Sequence, residues 1–260
     1  MRKRLMAMLI GLCVALTLMS TAAFAAGGEG TIYVGGVELT GSTANPVYAT
    51  TDDSGAVKTD GASAAAHNIA RDGETLTLKN AKVAEGGHQG AAIYCANSFA
   101  LQLVGDNTVT GPDISDSDNC GIYTNGSIAI SGGKITVTSG VSSGKVYGIR
   151  AREDIQINDS EVIAVGAPES DSMTPEYGGA IFSETGNIAI TGAGTVVEAY
   201  SGCGQKGLAA LEAAAGNITI DDQANVKALA SVLTPYYEEG YMPAYTTADG
   251  GSFGNGIRAF

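Results

Sequence analysis

The stretch GIYTNGSIAISGGKITV (121–137) decides the fold of this 260-residue chain, because its pattern recurs along the sequence. It contains a hydrophobic residue, a turn, two apolar residues two positions apart, a Gly-rich turn and a second apolar pair. AIFSETGNIAITGAGTVV (180–197) and ALEAAAGNITIDDQANV (210–226) repeat this order with small slips. The hydrophobic residues that open such stretches, here named anchors, lie at intervals of 24, 29, 27, 32, 30 and 46 residues: Ile69, Ile93, Ile122, Ile149, Ile181, Leu211 and Ile257. A period in this range predicts a repeat architecture.

The apolar pairs of each repeat predict β-strands. Residues two positions apart, such as Ile128 and Ile130, share one face of a strand, and Gly, Asn and Asp separate the runs as turns require. Each repeat would hold three short strands, and one coil alone would bury too little apolar surface to be stable, so neighbouring coils must stack. We therefore predict an all-β fold, a single-stranded right-handed parallel β-helix of about six coils. A β-sandwich or a propeller accounts less well for the repeat.

The chain is predicted to divide into three parts. Residues 1–25 have the basic start, apolar run and small-residue cleavage site of a secretory signal peptide. Residues 26–66 form an N-terminal β cap and lead-in, in which TIYVGGVELTG (31–41) is a Gly-Gly hairpin that covers the first coil. Residues 67–260 form the β-helix. Because GNGIRAF (254–260) restates an anchor segment, we expect a helix truncated at its C-terminal end, or one capped there by a partner.

Charge and cysteine usage narrow the possible partners and the location. The formal net charge of −13 argues against nucleic acid or anionic lipid as a partner, since both need basic patches. The signal peptide predicts a protein that is secreted, extracellular or on the bacterial cell surface, without membrane insertion after cleavage. Cys95 and Cys120 each lie an even number of residues from an anchor, so both are expected to point inward as buried free thiols.

Two segments, GIYTNGSIAISGGKITVTSG (121–140) and GAAIYC (90–95) followed by LVGDNTVTG (103–111), carry a resemblance. They resemble repeats of secreted bacterial right-handed parallel β-helix proteins of the carbohydrate-binding or adhesin-like type, within the pectate-lyase-like fold group. The resemblance covers roughly residues 67–228 and the YVGGVELTG segment. It implies a right-handed β-helix, and an extracellular role in which a polysaccharide or a host-surface glycan is the partner.

Insertions collect between the last strand of one repeat and the next anchor, and repeat proteins often bind ligands on the face that carries their insertions. The residues after four anchors, Tyr94, Tyr123, Arg150 and Phe182, would form an exposed ladder about 14 Å long beside these loops, at about 4.8 Å per coil. Aromatic faces contact sugar rings and Arg donates to hydroxyls, so this ladder is the predicted carbohydrate-binding site. The alternative is a ladder that only stabilises stacking, with Arg150 between the rings.

Further candidate site residues lie within the insertions. The last insertion contributes Tyr236 and Tyr237, which are predicted to contact carbohydrate, or else to pack as a lid over the wall of the coil. The carboxylates of Asp113, Asp116 and Asp118 would supply oxygen ligands for a possible Ca²⁺, with a solvated acidic loop as the alternative.

No catalytic residues are predicted, and no cofactor other than that possible Ca²⁺. The NxD, DD, GHG and RIK elements of polygalacturonase-like enzymes are incomplete, because only Asp221-Asp222 occurs, and hydrolysis needs a spaced carboxylate pair. We therefore predict a carbohydrate-binding or adhesin-like protein without catalytic activity. Two alternatives stay open: a Ca²⁺-dependent lyase of acidic polysaccharide with Arg150 or Arg258 as base, and a structural stalk of a longer surface protein.

Overall fold

The computed structural model describes residues 30–115, 117–166, 177–201, 209–221, 223–230 and 255–259, so the predicted signal peptide lies outside the described residues. Over these ranges the chain forms β-strands and no helix. Consequently, the described part contains no helix that is long and apolar enough to span a membrane. The strands in chain order are β1 Ile32–Val34, β2 Val37–Leu39, β3 Val47–Thr51, β4 Val57–Lys58, β5 Ile69–Asp72, β6 Thr75–Lys79, β7 Lys82–Val83, β8 Ala91–Cys95, β9 Phe99–Thr110, β10 Asn119–Thr124, β11 Ile128–Thr138, β12 Lys145–Ala151, β13 Ile155–Asn158, β14 Glu161–Gly166, β15 Tyr177–Ser183, β16 Ile188–Thr191, β17 Val196–Ser201, β18 Ala209–Ala213, β19 Ile218–Ile220, β20 Asn225–Ala230 and β21 Asn255–Ala259.

Six of these strands stack in parallel to form one wall of a right-handed β-helix of about five turns. This wall, here named the anchor sheet, has the order β8-β10-β12-β15-β18-β21. Its register places six anchors in one column: Ile93, Ile122, Ile149, Ile181, Leu211 and Ile257. The predicted fold class is confirmed.

The other two walls come from the two apolar pairs of each repeat. One stacks β9, β11, β13, β16 and β19, and the other stacks β9, β11, β14, β17 and β20, because the long strands β9 and β11 run through both. In one coil the inward side chains are at most 1% exposed: Ile122, Ile128, Ile130, Ile135 and Val137. Full burial of each such side chain contributes about 1.5–3 kcal/mol. The core is therefore a continuous apolar column inside the coils.

The anchor strands do not alternate strictly between inside and outside. Ala92 and Ile93 both belong to the inner core, and a Cβ on Gly121, next to Ile122, would lie 2.4 Å from the inward Val137. The position before the anchor therefore faces inward as well, and only small residues occupy it: Ala92, Gly121, Gly148, Ala180 and Ala210. Two successive inward residues shift the parity of the strand, as a bulge does, but the pairing register of neighbouring anchor strands stays unbroken. This irregularity, which recurs in successive coils, is here named the bulge.

This shift corrects one expectation about the cysteines. Cys95 lies in the inner core as expected. Cys120 is buried, but it packs with Ala91, Tyr94 and Tyr147 in a separate cluster on the outer face, here named the outer cluster. The prediction that Cys120 points inward is wrong, because it assumed strict alternation through Gly121. Both residues are free thiols, as predicted.

Side chains hold the corners that follow the anchor strands, because they accept hydrogen bonds from the backbone of the next coil. Ser127 N donates to Ser98 Oγ at 2.9 Å, Asn187 N to Asp154 Oδ1 at 2.7 Å, and Asn217 N to Asn187 Oδ1 at 3.0 Å. Each bond satisfies a backbone donor that the turn would otherwise leave unpaired. These residues therefore fix the stacking of successive coils as well as the turn geometry.

The N-terminal hairpin forms as predicted. Strands β1 and β2 pair antiparallel around Gly35 and Gly36, which adopt positive φ values of 55° and 76°. β1 also pairs antiparallel with β8, with Tyr33 opposite Tyr94. The hairpin thus covers the free edge of the first anchor strand, which would otherwise present unpaired backbone groups.

Ile69 does not join the anchor column, so its prediction as the first anchor is wrong. It lies in β5, which pairs antiparallel with β3 and with β6, opposite Ala49 and Leu78. The reason is the tight connection at Gly73, whose positive φ of 60° reverses the chain into a hairpin. Parallel pairing begins one strand later, between β6 and β9.

A buried arginine fastens this antiparallel segment. Arg71 is 3% exposed, and its guanidinium donates to three backbone carbonyls, those of Gly30, Leu39 and Gly73. A buried charge is tolerated when hydrogen bonds satisfy it. Arg71 therefore ties the first described residues and the end of the hairpin to β5.

Candidate functional site

The outer face of the anchor sheet carries the residues that the sequence singled out. The residues after the anchors Ile93, Ile122, Ile149, Ile181 and Leu211 face outward. The register places them side by side with Tyr33 of β1, in the order Tyr33, Tyr94, Tyr123, Arg150, Phe182 and Glu212. From Tyr33 to Phe182 the column crosses four strand spacings, about 19 Å. The structure thus brings together the four predicted ladder residues and adds Tyr33 from the hairpin.

The ladder is less exposed than expected. Tyr94 is only 5% exposed, so its predicted exposure is wrong, whereas Tyr33, Tyr123 and Phe182 are half-buried. The reason is the bulge, which turns a second set of residues outward and packs Cys120 and Tyr147 against the column. The ladder is therefore part of a packed surface layer.

Ring contacts organise this layer. Tyr33 stacks on His88 with centroids 3.7 Å apart and planes within 4°, and Phe182 stacks on Tyr147 at 4.7 Å and 16°. Tyr94 and Tyr123 meet at 5.8 Å with planes tilted by 51°. These rings and the arginine among them form the aromatic strip: Tyr33, His88, Tyr94, Tyr123, Tyr147, Arg150 and Phe182.

His88 and Tyr147 were not among the predicted site residues. The sequence did contain a signal for Tyr147. A small residue before each anchor marks the bulge, and the bulge makes the residue three positions before the ladder residue face outward. For His88 no such signal exists, since it precedes β8 and reaches Tyr33 only through the antiparallel hairpin.

Arg150 is the charged centre of the strip. Its guanidinium carbon lies 4.9 Å from the ring centroid of Tyr123 and 5.5 Å from that of Tyr147. The alternative in which the ladder only stabilises stacking also places Arg150 between rings. Nε donates to Glu184 Oε1 at 2.8 Å and Nη1 donates to Asp118 Oδ2 at 2.8 Å. Burial acts to lower the pKa of Arg150, but the carboxylates of Asp118 and Glu184 act against it, and the pKa lies above its ordinary value. Arg150 is therefore permanently charged and doubly paired.

The tyrosine hydroxyls are fixed by a single amide. Tyr123 OH donates to Asn125 Oδ1 at 2.7 Å, and Asn125 Nδ2 donates to Tyr94 OH at 2.8 Å. Asn125 thus holds both rings in one orientation. A surface whose side chains are already ordered loses less conformational entropy when a ligand binds.

The first insertion, which connects β9 to β10, forms one border of the strip. Residues of this loop, together with those before β8, line an open recess of about 710 Å³: Gln89, Gly90, Asp113, Ile114, Ser115, Ser117 and Asp118. The salt bridge from Asp118 to Arg150, 2.8 Å long, connects the loop to the strip. The insertion therefore lies beside the outward column, on the side that the sequence indicated.

The remaining predicted site residues are only partly described. Tyr236, Tyr237 and Asp116 lie outside the described residues. Asp113 accepts from the backbone of Val141 at 2.9 Å, and Asp118 is paired with Arg150. Among the described residues no group of three His, Cys, Asp or Glu side chains is placed to hold a metal ion. The role of Asp113, Asp116 and Asp118 as Ca²⁺ ligands stays a prediction.

The buried thiols should resist alkylation in the folded protein. Burial raises the pKa of Cys120 to about 12 and that of Cys95 to about 11, so at pH 8 both are neutral thiols, and the thiolate is the reactive form. We expect iodoacetamide to label both at least about tenfold more slowly in buffer than in urea, as measured by peptide mass spectrometry. Rapid labelling of Cys120 in buffer would contradict the closed packing of the outer cluster.

A parallel β-solenoid with a pre-ordered aromatic strip on one wall is the class of protein that the fold and the site define. The chain belongs to the family described as carbohydrate-binding domain-containing protein, whose model matches residues 17–253. No curated protein and no solved structure matches the chain significantly. The family and the β-solenoid together support a carbohydrate-binding role.

Proposed function

We propose that the protein is an extracellular, adhesin-like carbohydrate-binding protein without catalytic activity, and that polysaccharide binds along the aromatic strip. The observation that carries the proposal is the strip itself, with half-buried rings at Tyr33, Tyr123 and Phe182 on one wall of the solenoid. The extracellular location rests on the signal-peptide pattern of residues 1–25.

The geometry of the strip suits an extended sugar chain. Tyr33, Tyr123 and Phe182 follow each other at two strand spacings, about 10 Å apart, so a chain lying across the strands would contact all three rings. All three rings offer an apolar face, and the two tyrosines also carry a hydroxyl. Asn125, Asp118 and Glu184 border the rings with amide and carboxylate groups, and a few placed polar groups of this kind orient a ligand in an otherwise apolar site.

The electrostatics of the strip favour recognition over catalysis. A lyase that used Arg150 as its base would need a neutral guanidinium, and an arginine is almost always charged in proteins. Asp118 and Glu184 stabilise the charged form further, since they raise the pKa of Arg150 despite its burial. Arg150 is better placed to hold the rings and the first insertion in position.

Retention of the purified protein on insoluble polysaccharides tests the proposal. We expect at least one of cellulose, chitin, mannan and starch to deplete the protein from solution, with a dissociation constant of about 1 μM to 1 mM. Bovine serum albumin serves as the non-binding control. Failure of every polymer, and of a glycan array, would overturn the proposed function and favour a structural stalk. Release of unsaturated products from polygalacturonate with calcium would contradict the non-catalytic part.

A further inference from the structure

Four carboxylate side chains lie on the borders of the aromatic strip. Glu38 lies opposite Tyr33 and Glu212 lies opposite Phe182 in the register, while Asp118 and Glu184 contact Arg150. The net charge of the whole chain, −13, is also negative.

Arg150 is the one cation among the rings, and each of its three guanidinium nitrogens already meets a carboxylate. Glu184 Oε1 lies 2.8 Å from Nε and 2.6 Å from Nη2, so this carboxylate occupies the edge of the guanidinium that would make a bidentate pair. Asp118 accepts a hydrogen bond from Nη1, and the Arg150 side chain is only 16% exposed. A ligand carboxylate would therefore meet two protein carboxylates beside the arginine, and like charges placed together repel each other.

We propose that the aromatic strip selects neutral, hydroxyl-rich polysaccharides and excludes anionic ones such as polyuronates, because Asp118 and Glu184 neutralise Arg150 and face the ligand. This inference rests on the proposed function and specifies its ligand class. Neutral hydroxyl groups suit the site, since the carboxylates accept hydrogen bonds from them while the rings contact the apolar faces of the sugars. The two carboxylates thus act as specificity-determining residues.

The experiment compares retention on the neutral polymer that binds best with retention on immobilised polygalacturonate. We expect the unchanged protein to bind polygalacturonate at least about tenfold more weakly. The double variant Asp118→Asn/Glu184→Gln keeps the shape and an acceptor oxygen at each position but frees the charge of Arg150. It should bind polygalacturonate about tenfold better than the unchanged protein, and this gain should shrink in high salt, which screens the attraction.

The matched control is Glu161→Gln/Glu198→Gln, which changes the net charge equally on strands β14 and β17 of another wall. It should show no such gain. Should the first double variant fail to fold, Glu184→Gln alone decides, with a smaller gain expected. Stronger binding of the unchanged protein to polygalacturonate, or equal gains in the variant and the control, would overturn the inference while leaving carbohydrate binding intact. Retention on no polymer at all would instead overturn the proposed function, and the inference with it.

Discussion

A Gly121→Val protein is expected to lose about 3 kcal/mol of its free energy of unfolding, since forcing extra methyl groups into a packed core typically costs 1–3 kcal/mol or more. A Cβ at this position would lie 2.4 Å from Val137 Cγ1 and 2.9 Å from the carbonyl oxygens of Gly148 and Thr138. Val137 belongs to the same tightly packed coil, and the carbonyls belong to strand backbone, so neither can move aside cheaply. For a domain of this size the midpoint of thermal unfolding should fall by about 6–12 °C.

Circular dichroism during heating and during urea titration measures this effect. Gly194→Val is the matched control, because a Cβ there would meet only Asp159 Oδ1 at 3.6 Å, and we expect it to change the free energy of unfolding by less than about 1 kcal/mol. Gly121→Ala should fall between the two, since alanine occupies the equivalent position at Ala92, Ala180 and Ala210. Equal destabilisation by both valine substitutions would show that the bulge does not impose the small residue.

The repeating strands were predictable because their signal is local. A β-branched pair such as Ile128 and Ile130 reports the strand period directly, and the spacing of the anchors reports the parallel stacking of coils. Ile69 has the same local appearance as the other anchors, yet it lies in an antiparallel strand. Pairing direction depends on the connection at Gly73, where a single residue with positive φ decides whether the chain reverses. Apolar periodicity carries no information about that choice.

The sequence predicted which site residues lie side by side, but it did not predict how far they are buried. Tyr94, Tyr123, Arg150 and Phe182 follow anchors, so stacking of the coils necessarily brings them together. Their exposure depends on neighbours that come from other elements. Tyr147 packs on Phe182 only because the bulge turns it outward, and a bulge changes the parity of a strand without any change in its apolar content.

The partners of Arg150 were hidden for a related reason. Asp118 and Glu184 lie 32 and 34 residues from Arg150 in the sequence, in an insertion and in the turn after β15. Among the many acidic residues of this chain, nothing in their local sequence marks these two. Only the assembled wall shows that the strip is bordered by carboxylates, and this arrangement carries the inference about neutral ligands.

The Tyr123→Ala/Phe182→Ala protein is expected to bind its polysaccharide about 10- to 100-fold more weakly, because aromatic residues at the centre of an interface commonly contribute most of its binding energy. These two rings are half-buried parts of the strip, so their removal takes away both apolar contact surfaces at the middle and the far end. Depletion isotherms on the best-binding polymer measure the change. Circular dichroism must show that the β-solenoid persists, since Phe182 also packs on Tyr147.

Two comparison variants separate contact with the ring from other effects. Tyr200→Ala removes a half-buried ring from β17 on another wall, where it bonds to Glu198 and Lys227, and it should leave polysaccharide binding unchanged. Tyr123→Phe keeps the ring but loses the hydrogen bond to Asn125 Oδ1, so we expect less than about a fivefold loss for one hydrogen bond of ordinary strength. If Tyr123→Phe weakened binding as much as the double variant, the hydroxyl network around Asn125 would be the recognition element, and stacking of sugars on the rings would be the wrong mechanism.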